Sequence, residues 1–273
     1  MNVELIVLGS GGPFINARRT SSCYMLHDGD GRRLLIDAGG GAFERFGRAG
    51  LGAADLDAVL LTHLHIDHSG GLAPLVFSAY MEGRHTVLPI AGPQARGGQP
   101  GVAQFAQALF GTDGAWSYLH SFEGFGIRAL EAPSDPADAR PAEVLTDGHL
   151  RVRAVAVPHG MMPSVAYRVD VDGRSVVFSG DVESEHAPLV ELAAGCDVLV
   201  HDFALPEREV EHGHLHAKPS AVGRVANACG CRTLVLSHVM PELEDELEPA
   251  LELVRATYRG RLVLAGDLTR IAV

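Results

Sequence analysis

Short runs of apolar and β-branched residues recur through the whole chain and predict a protein rich in β-strands. The predicted strands cover residues 3–8, 22–27, 33–37, 57–61, 86–91, 150–157, 164–171, 174–179, 197–201, 232–236, 261–265 and 269–273. Apolar residues at helical spacing predict helices over residues 71–82, 101–110, 186–194, 217–229 and 242–257. Asp-Gly pairs within residues 28–31 and 172–173 predict tight hairpin turns.

The mixture of strands and helices predicts the fold class. Two sheets packed face to face with helices on both outer sides would bury these apolar runs, so we expect an α/β fold built as a four-layer αββα sandwich. The 273 residues are enough for one large core. The Gly- and Pro-rich stretches are too short to link domains, so a single domain over residues 1–273 is predicted.

Charge and composition exclude several classes of partner. The net charge is −12 and the pI is near 5.5, which opposes binding to nucleic acid or to an anionic membrane. Residues 1–9 form a predicted strand and lack the features of a signal peptide. No apolar run has the length of a membrane span. The four cysteines lack a zinc or disulfide pattern, so a cytoplasmic protein without a membrane partner is expected.

One segment concentrates potential metal ligands. His63, His65, Asp67 and His68 follow the apolar run 58–61 directly. Because alternate side chains of an extended strand point the same way, the first two histidines can hold one ion. The other two residues lie where the chain turns into a helix and can reach a second ion. Two adjacent divalent ions are typical of hydrolytic sites.

Three more potential ligands stand at strand ends. His159, Asp181 and His238 each follow a predicted strand and a small residue or a proline. Functional side chains of α/β folds gather at such ends, so we expect these residues to join the histidine-rich segment. Asp37 also ends a strand. It is either a hydrogen-bond acceptor for a metal-binding imidazole or a turn-forming residue before Gly39.

The order of these motifs resembles the metallo-β-lactamase superfamily over nearly the whole chain. The resemblance implies that seven side chains hold two ions. The first ion would be bound by His63, His65 and His159, the second by Asp67, His68 and His238, and both by Asp181.

Within the superfamily, the chain is similar to the ribonuclease Z-like branch in the motifs at residues 8–13, 159–181, 201–204 and 213–214. This resemblance implies that His214 donates a proton to the leaving group and that Asp202 orients it. The alternative is that residues 212–216 form an exposed polar loop. Ribonuclease Z enzymes carry a tRNA-gripping arm between the positions of His159 and Asp181, and this chain has only two predicted strands and a turn there. The resemblance therefore predicts the metal chemistry of this branch, but it does not predict the tRNA substrate.

The function predicted on this basis is hydrolysis of small anionic esters, above all phosphodiesters, by two divalent ions and a hydroxide that bridges them. Two ions, two ligating aspartates and one hydroxide leave about one net positive charge, which favours an anionic substrate. Asp67 is counted as a catalytic residue as well as a ligand. A tRNA 3′-end endonuclease and an aryl or alkyl sulfatase or lactonase are the alternatives. Zinc is the expected metal, and manganese or iron would also suit these ligands.

Residues 72–147 hold half of the chain's aromatic side chains. These side chains have three possible roles: a wall of the substrate pocket, ordinary core, or the interface of a homodimer. These aromatic residues are Phe77, Tyr80, Phe105, Phe110, Trp116, Tyr118, Phe122 and Phe125.

Overall fold

The computed structural model describes residues 3–211 and 213–273, so His212 of the predicted polar loop lies outside the described residues. Within these ranges the chain forms fourteen strands and eight helices. The strands are β1 (Glu4–Gly9), β2 (Cys23–His27), β3 (Arg33–Ala38), β4 (Ala58–Leu60), β5 (Leu88–Pro93), β6 (Ile127–Ala132), β7 (Ala142–Asp147), β8 (Leu150–Ala156), β9 (Val165–Val171), β10 (Arg174–Phe178), β11 (Val198–Asp202), β12 (Thr233–Ser237), β13 (Arg261–Leu264) and β14 (Thr269–Ala272). The helices are α1 (Ala42–Ala49), α2 (Ile66–Ser69), α3 (Leu72–Met81), α4 (Val102–Phe110), α5 (Ala187–Leu192), α6 (Pro219–Cys229), α7 (Pro241–Glu244) and α8 (Leu247–Thr257).

The strands form two seven-stranded mixed sheets with related topologies. One sheet has the order β14-β1-β2-β3-β4-β5-β6 and the other has the order β13-β12-β11-β10-β9-β8-β7. In each sheet four neighbouring strands are antiparallel and the remaining three continue from them in parallel. The parallel strands are followed by helices, which return the chain for the next strand in the same direction.

Three apolar layers hold the two sheets and the helices together. The layer between the sheets includes Tyr24 and Phe178, whose ring centroids are 5.6 Å apart. A second layer lies under α5, α6 and α8, and a third lies under α1, α3 and α4. Helices therefore cover the outer face of each sheet, and the predicted αββα sandwich is confirmed.

The structure also contains elements that the sequence pattern did not predict. Strands β6 and β7 lie at the edges of their sheets and are only partly buried. They contain Ala, Leu and Glu, which favour helices in isolation, so only pairing with a neighbouring strand makes them extended. Helix α1 was also missed. The predicted helix over residues 242–257 is broken at Asp245 and Glu246 into α7 and α8.

Candidate metal centre

The seven predicted ligands come together at one edge of the two sheets. His63 and His65 follow β4, while Asp67 and His68 lie in the single turn of α2. The other three ligands, His159, Asp181 and His238, lie within three residues of the ends of β8, β10 and β12. Because those strand ends meet at the same edge, residues far apart in sequence become neighbours.

The first group consists of three histidines with Asp181. The Nδ1 atom of His65 lies 3.1 Å from His63 Nε2 and 3.3 Å from His159 Nε2. One oxygen of Asp181 lies 3.8 and 3.7 Å from the same two Nε2 atoms. Tetrahedral ligands of a zinc ion with bonds of about 2.0–2.1 Å are separated by about 3.3 Å. These separations therefore fit a single ion.

The second group consists of Asp67, His68 and His238. The Oδ2 atom of Asp67 lies 3.6 Å from His68 Nε2 and 3.3 Å from His238 Nε2. Asp181 lies 3.4 Å from each of these nitrogens, and so it adjoins both groups. The Nε2 atom of His68 is buried and has no hydrogen-bond partner among the described residues. A buried nitrogen that faces two carboxylates in this way suits a cation.

Hydrogen bonds from neighbouring residues fix the orientation of the imidazoles. Asp37 accepts from His68 Nδ1 at 2.8 Å and from the amide of Thr62 at 2.7 Å. The hydroxyl of Thr62 lies 3.1 Å from His63 Nδ1, and His159 Nδ1 lies 3.1 Å from the carbonyl of Leu215. These contacts turn the opposite ring nitrogen of each histidine towards the site. Asp37 thus has the predicted contact with a metal-site imidazole.

Two residues at the site have a backbone conformation that side chains normally avoid. Asp37 has a φ of 54° and His238 has a φ of 64°. Such left-handed conformations are costly and persist where surrounding contacts hold them. Gly12 packs so closely on the imidazole of His238 that a Cβ at this position would lie 2.7 Å from Cε1.

Burial and neighbouring charge divide the histidines into two classes. Burial lowers the pKa of His63, His65 and His159, which favours the neutral form that binds a metal. Burial opposes protonation of His68 and His238 as well, but the carboxylate of Asp181 and further acidic neighbours raise the pKa of both. The second group of ligands therefore has more negative charge around it than the first, and this charge favours the binding of a cation.

The predicted pairing of His214 with Asp202 is corrected by the structure. Asp202 Oδ2 lies 2.8 Å from Nδ1 of His216, not of His214. His216 is buried, and its ring centroid lies 5.3 Å from that of His238 and 5.6 Å from that of His159. Burial lowers the pKa of His216, but its hydrogen-bonded partner Asp202 more than compensates and raises it to about 9.

His214 instead lies on a one-turn 3-10 segment, Gly213–Leu215, and is exposed. Two residues further on, the chain has moved inward and His216 reaches the site. Only Leu215 separates the two histidines in the sequence, so their spacing could not show which of them faces the site. The signal that could have done so is the helix start at Pro219, which anchors the chain beside His216.

Two cavities open onto the candidate metal centre, and both are lined by His65, His159 and Leu215. The larger has a volume of about 600 Å³, and the smaller has a volume of about 310 Å³. The larger is also lined by His216. The smaller is lined by His214, Gln99, Gly160, Met161 and Met162.

The aromatic residues of segment 72–147 do not line either cavity. They pack on one another and on the apolar layer of the first sheet, as in the pairs Phe110–Trp116 and Tyr80–Phe125. The structure therefore favours the core role for most of them. Phe77 and Tyr118 are exposed, and a homodimer interface stays a prediction.

Comparison with known proteins identifies the family. Residues 32–239 match the β-lactamase superfamily domain. The chain belongs to this superfamily. It is 30% identical to ribonuclease Z of Mycobacterium bovis over 290 aligned residues, which cover 99% of this chain and 98% of that protein. The same name, identity and coverage apply to the protein of Mycobacterium tuberculosis over 287 residues. The chain is thus a member of the ribonuclease Z-like branch.

Solved structures of low sequence identity share the fold. The short form of human tRNase Z is 21% identical, with a TM-score of 0.78 and 98% of each chain covered. The metallo-β-lactamase fold protein YhfI of Bacillus subtilis is 22% identical, with a TM-score of 0.77 and both chains covered completely. A diphosphatase of the PhnP family is 20% identical, with a TM-score of 0.70, and 100% of this chain and 98% of that chain are covered.

Together, the family and the His/Asp cluster show a metal-dependent hydrolase of the superfamily. The ligand groups are consistent with a dinuclear site. None of the helices in the described ranges has the length and apolarity needed to cross a membrane.

Proposed function

We propose that the protein is a dinuclear metal-dependent phosphodiesterase that acts on small esters. The observation that carries this proposal is the position of the metal centre between two cavities that share His65 and His159. A phosphodiester has two organic substituents on one phosphorus atom, and each cavity can take one of them. A monoester or a small lactone would leave one cavity without a function.

The ligands are assigned to the ions as the two groups indicate. His63, His65 and His159 would bind the first ion and Asp67, His68 and His238 the second, with Asp181 bound to both. Zinc is the metal that best suits this mixture of imidazole and carboxylate ligands. When bound, two such ions lower the pKa of a water molecule towards about 7 and stabilise negative charge on the reacting ester.

The side chain assigned to proton transfer is His216. Asp202 accepts the Nδ1 proton of His216, so the proton that can be donated is held on Nε2. His216 lines the larger cavity and can therefore reach the oxygen of a leaving group bound there. Asp202 positions the imidazole and stabilises its protonated form. His214 has no assigned role in proton transfer.

Cleavage of tRNA is the second candidate, because the mycobacterial relatives of 30% identity are named ribonuclease Z. Three observations weigh against it. Strands β9 and β10 pair directly from Val171 to Arg174, so a short hairpin stands between His159 and Asp181. Among the described residues, neither cavity is lined by arginine or lysine. The net charge of −12 also opposes RNA.

A panel of substrates with defined metals tests the proposal. We expect hydrolysis of bis(p-nitrophenyl) phosphate to exceed that of p-nitrophenyl phosphate, p-nitrophenyl sulfate and a simple lactone, and we expect no specific cleavage of precursor tRNA. The reaction should vanish on chelation and return with zinc. Faster hydrolysis of the monoester, the sulfate or the lactone would contradict the assignment to diesters. Clean cleavage of precursor tRNA at its 3′ end would replace it with the second candidate.

A further inference from the structure

We propose that the larger cavity selects phosphodiesters in which one substituent carries a cationic ammonium group on a short apolar body. This inference rests on the proposed phosphodiesterase function and names its substrate class. It is carried by the distribution of charge around the cavity and by one carboxylate, Glu242, that has no partner in the described part of the chain.

The wall of the larger cavity is apolar and acidic. Apart from the assigned metal ligands and His216, its lining consists of apolar residues, among them Phe14, Ile66 and Met240, together with Glu211 and Glu242. The described lining contains no arginine or lysine. An ester anion can be bound by the metal ions, but a second anionic group of the substrate would meet two carboxylates. The same carboxylates attract a cation.

Glu242 is a partly buried carboxylate with no ion pair or hydrogen bond among the described residues. It lies in the first turn of α7, and one of its oxygens is buried without a hydrogen-bond donor among the described residues. By contrast, Glu244 of the same helix pairs with Arg18 at 2.7 Å. The residue before Glu242 is Pro241, which has no N–H to donate. A partly buried charge without a partner is unfavourable. A cationic ligand bound in the cavity beside Glu242 would provide the compensating positive charge.

The size of the expected selectivity follows from the strength of one charge-assisted contact between the ammonium group and Glu242. A charge-assisted contact in a partly desolvated cavity corresponds to about tenfold to a hundredfold in kcat/KM. The apolar wall would contact the methylene groups that connect the ammonium group to the ester. A nucleic acid, which has a phosphate on every neighbouring nucleotide, would be disfavoured by the same carboxylates.

A matched pair of substrates tests the inference directly. In p-nitrophenyl 2-aminoethyl phosphate and p-nitrophenyl propyl phosphate, an ammonium group and a methyl group occupy the same position. We expect kcat/KM of the zinc-loaded protein to be about tenfold to a hundredfold higher for the aminoethyl ester. In Glu242→Gln the ratio of kcat/KM for the aminoethyl ester to that for the propyl ester should fall towards one. In Glu211→Gln this ratio should fall in part. In both variants kcat/KM should fall much more for the aminoethyl ester than for the propyl ester.

Two controls separate charge recognition from other effects. Glu248 lies on α8, its side chain is 80% exposed, and it does not line the cavity. Glu248→Gln therefore removes the same charge from the protein and should retain the full preference. Glu242→Gln should not lower the free energy of unfolding, because it removes an unfavourable partly buried charge and breaks no contact with a partner.

Equal kcat/KM for the two esters in the unmodified protein would overturn the inference, as would a preference that survives in the Glu242→Gln, Glu211→Gln double variant. Hydrolysis of bis(p-nitrophenyl) phosphate distinguishes the two levels of the proposal. If this diester is hydrolysed without any preference for the ammonium group, only the substrate class is wrong. If no diester is hydrolysed, the proposed function fails and the inference fails with it.

Discussion

Replacing His216 should slow the hydrolysis of esters with poor leaving groups much more than that of nitrophenyl esters. The suitable variant is His216→Asn, because the asparagine amide can still donate a hydrogen bond to the buried Asp202, which His216 Nδ1 approaches to 2.8 Å. Replacement by alanine would instead remove the nearest donor to this buried carboxylate, and breaking a buried ion pair costs about 3–5 kcal/mol. The asparagine variant thus removes the proton donor with the least damage to the fold.

The magnitude follows from what the imidazole is assigned to do. General acid catalysis contributes about 10²–10⁴-fold, and each factor of ten equals about 1.36 kcal/mol of transition-state stabilisation. The loss in kcat should approach this range for an alkyl or phenyl leaving group, which needs a proton. It should be small for a nitrophenyl leaving group, which departs readily as an anion. Metal content should remain unchanged, because His216 is not an assigned ligand.

The assay is the rate of hydrolysis of a series of methyl aryl phosphates whose phenols increase in pKa. His214→Asn is the matched control, since it makes the same change two residues away on the exposed 3-10 segment. It should follow the unmodified protein across the series. A loss in His216→Asn that is the same for every leaving group would refute the proton-donor role. A loss in His214→Asn that grows with the pKa of the phenol would restore the assignment that the structure corrects.

Four further substitutions test other parts of the site and the fold. Asp181→Ala should lower occupancy of both metal positions, and two full equivalents by elemental analysis would contradict its contact with both ions. Asp37→Asn should weaken metal binding by about 10–100-fold, measured by competition with a chelator; unchanged affinity would exclude a positioning role. Gly12→Ala should weaken metal binding too, because its Cβ would lie 2.7 Å from a ligand imidazole. Gly47→Ala lies in α1 with open space around the new Cβ and should instead stabilise the fold by about 0.5–1 kcal/mol, seen as a higher Tm.

The layer architecture could be predicted from sequence because the buried strands carry their signal locally. Strands such as β1 and β12 are built on continuous apolar runs, and both sheets contain several strands of this kind. The edge strands β6 and β7 carry no such signal, since half or more of their residues are not buried. Their extended conformation is imposed by β5 and β8, with which they pair. The residues of these two segments therefore do not by themselves predict strands, because the pairing that makes them extended forms only in the folded protein.

The convergence of the candidate metal ligands was predictable for a related reason. A residue at the end of a buried strand has a fixed position and direction, and the strand ends of one sheet edge converge. His63 and His65 alternate on extended backbone, so their shared direction follows from strand geometry. The contact of Asp37 with the site could be considered but not decided from sequence. Its left-handed φ of 54° is produced by contacts that no local pattern reveals.

The position of the histidine that pairs with Asp202 depends on a different kind of structure, and this explains why the sequence predicted the pairing two residues too early. The segment that carries His214 and His216 has no strand to fix its direction. Hydrogen bonds tie it to the metal centre, from His159 Nδ1 to the carbonyl of Leu215 and from His216 Nδ1 to Asp202. The contact at Leu215 thus joins a candidate metal ligand to the residue that precedes the candidate acid. A change that moves the backbone at Leu215 should alter metal binding and proton transfer together, whereas a change at a strand end should alter metal binding first.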